Sequence, residues 1–571
     1  MRLFEGVATA VALLALLVRV AGRQHRLLHL FQIEHYEGAR LTLWLRRRAE
    51  LVSARELIGL FALYAAAVAN VAAGERWVAG ALLLVSVPVA AIGVGDWRRP
   101  AVKPLVFTAR AKRLVGVAVA PSAIVLAAAL ALIPFHAGTL AAAIVLAAGW
   151  VLLALSPYVL LAANRALAPW QAAINRRYVS SARARLAEVA PLVVGVTGSY
   201  GKTTTKFCIG AVLAADRGTL VTPESFNSRL GVVRTINELL EPRHAAFVVE
   251  MGMFRRGDIA ELCELTHPKI GVITAIGPMH LERLGSIEAI EAAKAELMEA
   301  LPADGRLIVN GDDPRCLAIA ARAHVPVTLF GIENELADVR AGEIALVAGR
   351  TEFDLRFGAT GPAPAPLSPG AVVPGSVEVS ALAPATGSVH VSAQLLGRHN
   401  VSNLLAAAAV GEVLGVERAA IARALGRVRA PDHRLSSIHN RGAGVVVIDD
   451  AYNSNPEGAA AALEVLAQHE AQRRLLVTPG MVELGELEQE LNRGFGERAA
   501  GVCDVVVLVG ERRTEPIRAG LLAGGMDAEH VHVVADLGAA TELLGRLRRR
   551  GDVILFENDL PDTYAGDTAA D

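Results

Sequence analysis

The sequence predicts an α-helical, membrane-embedded N-terminal region followed by α/β: a phosphate-loop domain on a parallel sheet, then a second α/β domain. Three observations predict it. Long charge-free runs are concentrated in the first 165 residues. From Pro191 onward, short apolar runs alternate with helical periodicity. A Gly-rich segment closes the first of those runs and opens a helix.

With 571 residues the chain has room for about four domains. Its 56 Lys+Arg balance 57 Asp+Glu, which argues against a generally basic nucleic-acid-binding protein, so no nucleic-acid partner is expected. A hydrophobic share of 53%, a charged share of 20% and a mean hydropathy of +0.41 are too apolar for an ordinary soluble chain. Cys208, Cys263, Cys316 and Cys503 are far apart with no C-x-x-C pair, so reduced thiols are expected rather than disulfides or structural zinc.

In the N-terminal region, residues 57–74 and 77–95 each approach the ~20 residues of a membrane span. Residues 114–164 lack any Asp, Glu, Lys or Arg and suffice for two helices, with a break at Pro134-Phe135-His136. Residues 6–18 form a shorter fifth segment whose Glu5 and Arg19 would snorkel. Basic residues cluster between 19 and 56 and between 96 and 113, and the positive-inside bias puts these loops in the cytoplasm. The expectation is a multi-pass inner-membrane protein with cytoplasmic catalytic domains and membrane lipids as partners. His25, His29 and His35 lie in a basic, aromatic-bearing stretch that reads as an interfacial helix more readily than as a metal site.

The expected domains are a membrane region at 1–165, a linker at 166–190, a central domain at 191–434 and a last domain at 435–571. Candidate strands of the central domain are 192–196, 246–249, 270–275 and 306–309. The second series is 444–448, 475–478, 505–509, 531–534 and 553–556. Residues 358–387, rich in Pro, Ala and Gly, read as an insertion.

The strongest motif runs Gly195-Val196-Thr197-Gly198-Ser199-Tyr200-Gly201-Lys202-Thr203-Thr204. Its glycines let backbone N–H groups approach phosphate oxygens, Lys202 would reach the β/γ-phosphates, and the Thr203 hydroxyl would ligate Mg²⁺. Val196 stands where the strict phosphate-loop pattern has its first Gly. A nucleotide is expected, with an ordinary Gly-rich turn as the alternative.

Further candidates follow. Glu250 ends an apolar strand, where a carboxylate is costly unless it is paired or on a metal. His280 follows the strand at 270–275. Lys294 falls in the apolar stripe of Ile287, Ile290, Leu297 and Leu301, where a free ammonium is poorly solvated. Carbamylation would make it an anionic oxygen ligand for a hard cation, against the alternative of an ion-paired or snorkelling lysine. Asn400 and Asn403 share a helix face and suit an adenine edge, or one of them caps the helix. Asp449-Asp450 ends another strand, and Asn455-Pro456 reads as an N-cap followed by N1.

Together these segments resemble the Mur ligase family over roughly residues 191–557. The resemblance is carried by TGSYGKTTTK, VVEMG, GPMHLERLGSIE with AAKAEL, VNGDDP, LLGRHNVSNLLAAAA, DHR, VIDDAYNSNP and GMVELGE, in that order. It implies an ATP-binding central domain and a Rossmann-like C-terminal ligase domain. It also implies an ADP-forming amide ligase that works through an acyl phosphate. By position it implies magnesium ligands at Thr203, Glu250 and His280, with a carbamylated Lys294 and two ions. It implies catalytic roles for Lys202, Lys294, His280 and Arg434, the last as a γ-phosphate arginine. Nucleotide contacts would come from Gly198, Ser199, Tyr200, Gly201, Lys202, Thr203 and Thr204. Asn400 and Asn403 would serve adenine, Asp450 the ribose. The other partners implied are an amino acid or dipeptide amine and a peptide carboxylate on a UDP-linked or lipid-linked acceptor.

Three departures stand out. The predicted spans replace the family's sugar-nucleotide domain. The C-terminal Lys-Gly-Ser-Arg segment reads Phe556-Glu557-Asn558-Asp559-Leu560-Pro561-Asp562-Thr563-Tyr564, and the paired asparagine after the phosphate loop reads Asn227-Ser228. A polyglutamate-type synthase is therefore an alternative. A transport ATPase is more remote, because the spans carry no ionisable pathway and no LSGGQ-type signature follows the loop.

Overall fold

The computed structural model describes residues 2–34, 36–47, 86–87, 89–97, 105–132, 138–279, 281–347, 349–358, 387–430, 433–440, 442–451, 454–482 and 484–558. The chain divides between Arg176 and Arg177 into two compact units.

The first unit is helical, with α1 (Arg2–Ile33), α2 (Gly38–Arg47), α3 (Ala109–Leu132) and the start of α4 (Gly138–Val189). Leu27, Leu28, Phe31, Leu41, Leu45, Leu114 and Leu160 form its buried cluster. Asp96 pairs with Arg19 at 2.5 Å, and His25 stacks on Trp97 with ring centroids 5.3 Å apart. His35 lies outside the described residues, as do most of the spans expected at 57–74 and 77–95.

Two expectations change here. Among the described residues one helical segment, Val151–Val189, is long and apolar enough to cross a membrane, by length and composition only; the multi-pass arrangement is not what the structure displays. The linker expected at 166–190 is helical up to Val189. Its Ala, Arg, Leu and Glu are good helix formers, and Val179 and Ala182 are buried against one face of the sheet described next.

The second unit holds a nine-stranded sheet in the order β2-β3-β1-β4-β5-β6-β7-β8-β9. Its parallel part is β1 (Leu192–Thr197), β2 (Thr219–Val221), β3 (Ala246–Glu250), β4 (Ile270–Ile273), β5 (Arg306–Asn310) and β6 (Val327–Gly331). Val194, Val196, Val248 and Val272 face one core with Cys208, Ile209 and the Ala-rich helix at 406–409. Val193, Phe247, Val249 and Ile273 face the other core with Ile259, Ile290 and Leu297. Both faces being covered explains why these strands read as continuous apolar runs.

Strands β7 (Val339–Val347), β8 (Arg350–Phe357) and β9 (Ser388–Ala393) extend the sheet, with antiparallel pairing from β7 to β9. They were not expected, although β8 carries the signal. Phe353, Leu355 and Phe357 alternate with Glu352, Asp354 and Arg356, which is the period-two pattern of a one-sided strand.

A six-stranded sheet follows in the order β10-β11-β15-β12-β13-β14. These are β10 (Ser436–Asn440), β11 (Val445–Asp450), β12 (Arg473–Thr478), β13 (Val505–Val509), β14 (Val531–Val534) and β15 (Asp552–Glu557). All pairings but β10–β11 are parallel. Asn455 caps the helix Pro456–Gln468 by accepting the Gly458 N–H, with Pro456 in the first turn.

Candidate active site

The phosphate loop leaves β1 and opens α5 (Lys202–Ala214), whose N-cap is Gly201 at φ +75°. A side chain there would strain the backbone, and its Cβ would stand 2.2 Å from Asn403 Oδ1. Gly198, at φ +150°, sits so close to the neighbouring strand end that a Cβ would meet Thr274 Oγ1 at 1.9 Å. Ser199 locks the loop to the segment after β4: its N–H donates to the Ala275 carbonyl at 2.7 Å and its hydroxyl to Gly277 O at 3.0 Å. The Thr274 hydroxyl donates to the Tyr200 carbonyl. The Tyr200 hydroxyl is buried without a hydrogen-bond partner.

Lys202 folds back on the loop, donating to Gly198 O at 2.6 Å and Ser199 O at 3.1 Å. It keeps a window to solvent, but protein surrounds its ammonium. Burial brings it down to about 8, against the opposing pull of Glu250 and with help from the positive charge of Arg434. Thr203 and Thr204 follow, both buried, in the first turn of α5.

Glu250 ends β3, next to the loop strand, because β1 and β3 pair with Val196 opposite Glu250. It is 1% exposed. Its Oε1 accepts from Asn227 Nδ2 at 2.9 Å, and its Oε2 lies 3.0 Å from Lys206 Nζ without a hydrogen bond of good geometry. Burial acts to raise this carboxyl, but Lys206, then Lys202 and the Asn227 amide outweigh it and hold it below its ordinary value. Sequence reasoning did not single out Lys206, the last residue of TGSYGKTTTK. Its signal was the spacing, since a residue four after Lys202 lies on the same helix face.

Lys294 lies on the helix Ile287–Glu299, is 2% exposed, and has an amine pushed well below its ordinary value. Burial is the main cause and the charge of Lys202 the second. His280 lies outside the described residues.

Asn400 and Asn403 are buried on α11 (Arg398–Val413), the label following α6–α10 at Arg229–Leu239, Asp258–Thr266, Leu281–Leu284, Ile287–Glu299 and Pro314–Ala320. Neither caps the helix; that position is Gly397. Asn403 Oδ1 accepts the Thr205 hydroxyl, Asn403 Nδ2 donates to Asn400 Oδ1, and Asn400 Nδ2 donates to Leu396 O.

Arg434 sits between His433 at φ +59° and Leu435 at φ +48°, so a left-handed residue flanks it on each side. Its charge acts on Lys202, Lys206 and Asp450. Asp450, at the end of β11, accepts the Leu435 N–H at 3.0 Å. Burial raises it to about 6, with Arg434 opposing. The structure therefore brings Lys202, Glu250, Lys294, Arg434 and Asp450 into one electrostatic neighbourhood.

Hard oxygen donors at Glu250 and Thr203, one of them a buried carboxylate with an oxygen lacking a hydrogen bond, fit Mg²⁺. Among the described residues no group of three His, Cys, Asp or Glu could hold a metal by itself. The remaining ligands would have to come from elsewhere, and phosphate oxygens at the loop are suited to that.

Residues 196–411 match the Mur ligase middle domain, and residues 433–557 match the Mur ligase glutamate ligase domain. The chain is 33% identical to UDP-N-acetylmuramoyl-tripeptide–D-alanyl-D-alanine ligase of Mycobacterium tuberculosis H37Rv over 384 residues, 64% of this chain and 70% of that one. The Escherichia coli K12 ligase of the same name is 32% identical over 331 residues, 57% of this chain and 66% of that one. MurF from Acinetobacter baumannii superposes with a TM-score of 0.56 at 26% identity, over 68% of this chain and 78% of that one. MurF ligase from Thermotoga maritima, solved with ADP, shares the fold with a TM-score of 0.56 at 24% identity, over 69% and 82% of the two chains. The first two relatives are UDP-N-acetylmuramoyl-tripeptide–D-alanyl-D-alanine ligases by name, and with one candidate spanning helix among the described residues, the multi-pass inner-membrane localisation expected from the sequence does not stand. The chain belongs to the Mur ligase family and is an ATP-dependent acid–amino-acid ligase.

Proposed function

We propose that the protein joins an amino acid or dipeptide amine to the carboxylate of a UDP-linked cell-wall peptide precursor, forming ADP through an acyl phosphate. The observation that carries the reading is the convergence of Lys202, Glu250 and Arg434 at the loop, one group from each of three segments far apart in sequence. In this reading the substrate carboxylate attacks the γ-phosphorus and ADP leaves. The amine nitrogen then attacks the acyl carbon, loses a proton and expels inorganic phosphate. Lys202 and the loop N–H groups hold the triphosphate, and Arg434 offsets charge on the transferring phosphoryl group. Asn403 and Asn400 line the adenosine side, and Asp450 serves the ribose. Mg²⁺, when bound, would neutralise triphosphate charge, held by Thr203 and Glu250 with His280 as a further ligand.

Lys294 is read as the carbamylated position. Its buried, weakly basic amine is the form that adds to CO₂, and the resulting anion would face the Lys202 charge rather than repel it. A ¹³C-carbamate resonance after labelling with ¹³C-bicarbonate, absent in Lys294→Ala, would support this; no resonance in the active wild type would remove it.

The test of the whole reading is to incubate the full chain with ATP, Mg²⁺, UDP-linked muramoyl peptides and an amine panel. ADP release coupled to a new amide mass is expected. ADP release with no amide product under any pairing would overturn it.

A further inference from the structure

Of the four lysines of the central domain, Lys206 and Lys269 belong to neither the loop's phosphate contacts nor the expected ligand set; Lys269 pairs with Asp304, whereas Lys206 is 0% exposed. It stands one helical turn beyond Lys202 on α5. Its ammonium donates to the Glu224 carbonyl, lies 4.5 Å from the Phe207 ring centroid, and sits 3.0 Å from Glu250 Oε2. Glu224 itself adopts φ +42°, which turns its backbone within reach of the lysine. The other Glu250 oxygen is held by Asn227, whose carbonyl accepts the Gly252 N–H at 2.9 Å. The carboxylate is thus clamped from both sides by groups built into the fold.

We propose that Lys206 is a resident counter-cation of Glu250, a positioning residue that makes divalent-metal binding conditional on nucleotide. The proposal rests on reading Glu250 as a metal-side carboxylate. The Glu250 carboxylate, ion-paired with Lys206 at 3.0 Å, faces the positive charges of Lys206 and Lys202, with Arg434 adding to both lysines and Glu224 opposing at Lys206, so without nucleotide the cations nearest Glu250 repel a free dication. A triphosphate reverses that balance and supplies the oxygen ligands that the described residues lack. Lys206 meanwhile keeps Glu250 ionised and aimed in the empty state, where a buried, unpaired carboxylate would be costly. The metal then enters with the nucleotide and leaves with it.

The test is Mn²⁺ binding, followed by electron paramagnetic resonance on the full chain, with and without the non-hydrolysable analogue AMP-PNP. Wild type should bind Mn²⁺ weakly alone and far more tightly with the analogue. Lys206→Met should bind nucleotide-free Mn²⁺ at least tenfold more tightly, Lys206→Arg should behave as wild type, and Lys206→Met with Glu250→Gln should lose the gain. Equal nucleotide-free affinity in wild type and Lys206→Met would overturn the proposal. If Lys206→Met is unfolded without metal, Mn²⁺ should restore its circular dichroism, and failure to do so also overturns it. Unchanged Mn²⁺ affinity of Glu250→Gln in the presence of the analogue would instead remove the metal-side reading of Glu250.

Discussion

The Asn403 side-chain oxygen accepts the Thr205 hydroxyl at 3.0 Å, joining residues 198 positions apart. This ties α11 to the first turn of the phosphate-loop helix, and the Asn403 amide passes the linkage to Asn400 and on to Leu396 O. A chain of buried amides therefore props the loop from behind.

Asn403→Ala should break that chain and leave Thr205 and Asn400 with unpaired buried groups. We expect a loss of about 1–3 kcal/mol in stability, with weaker ATP binding. Urea unfolding and nucleotide titration of the same variant check it; unchanged values in both would show that the chain of amides is incidental.

Gly201→Ala places a Cβ against Asn403 Oδ1 in a left-handed backbone position. Binding of ATP should fall by more than tenfold while the far-ultraviolet circular dichroism is retained. A variant that binds ATP normally would mean that the loop adopts another backbone in solution.

Lys202→Ala removes the ammonium that curls over the loop carbonyls. ADP formation should fall by about 10²–10³-fold, with the thermal midpoint close to wild type, because the residue serves phosphate charge rather than packing. Initial rates of ADP release give the measurement, and wild-type turnover would remove the phosphate-loop assignment.

Glu557, fully buried at the end of β15, accepts the Ser454 hydroxyl, and the Thr478 hydroxyl at 3.3 Å. Burial, helped by the Asp450 charge, pushes its carboxyl up to about 8 from an ordinary 4.5. Between those values the folded chain keeps a proton that the unfolded chain has released. Its stabilising contribution is complete below pH 4.5 and is lost as pH rises through 8, by up to about 1.4 kcal/mol per unit. Urea midpoints of wild type should fall from pH 5 to pH 8 relative to Glu557→Gln; parallel profiles would show that Glu557 does not titrate in this range.

Strands β1, β3, β4 and β5 were legible because each is a buried apolar run bounded by turns, whereas the short, half-buried β2 was not singled out; the loop was legible because its glycines and lysine occur at fixed spacing. Strands β7 to β9 were not singled out, since one polar face dilutes their hydrophobicity. In the N-terminal region composition alone does not decide, because an Ala- and Leu-rich sequence is shared by membrane spans and by helices that bury leucines against one another, as Leu28, Leu41 and Leu114 do.

Local chemistry in the sequence was enough to determine where the glycine-rich loop turns into a helix, because a glycine at positive φ, a lysine and a threonine must be consecutive to form that turn. It also determined the Asn455 cap, which depends on three neighbouring residues. Only the tertiary structure decided that Lys206 is the partner of Glu250 and that Arg434 acts on Lys202. Those relationships join positions 44 and 232 residues apart, and charges acquire their strength from burial and distance, which no local pattern in a chain encodes.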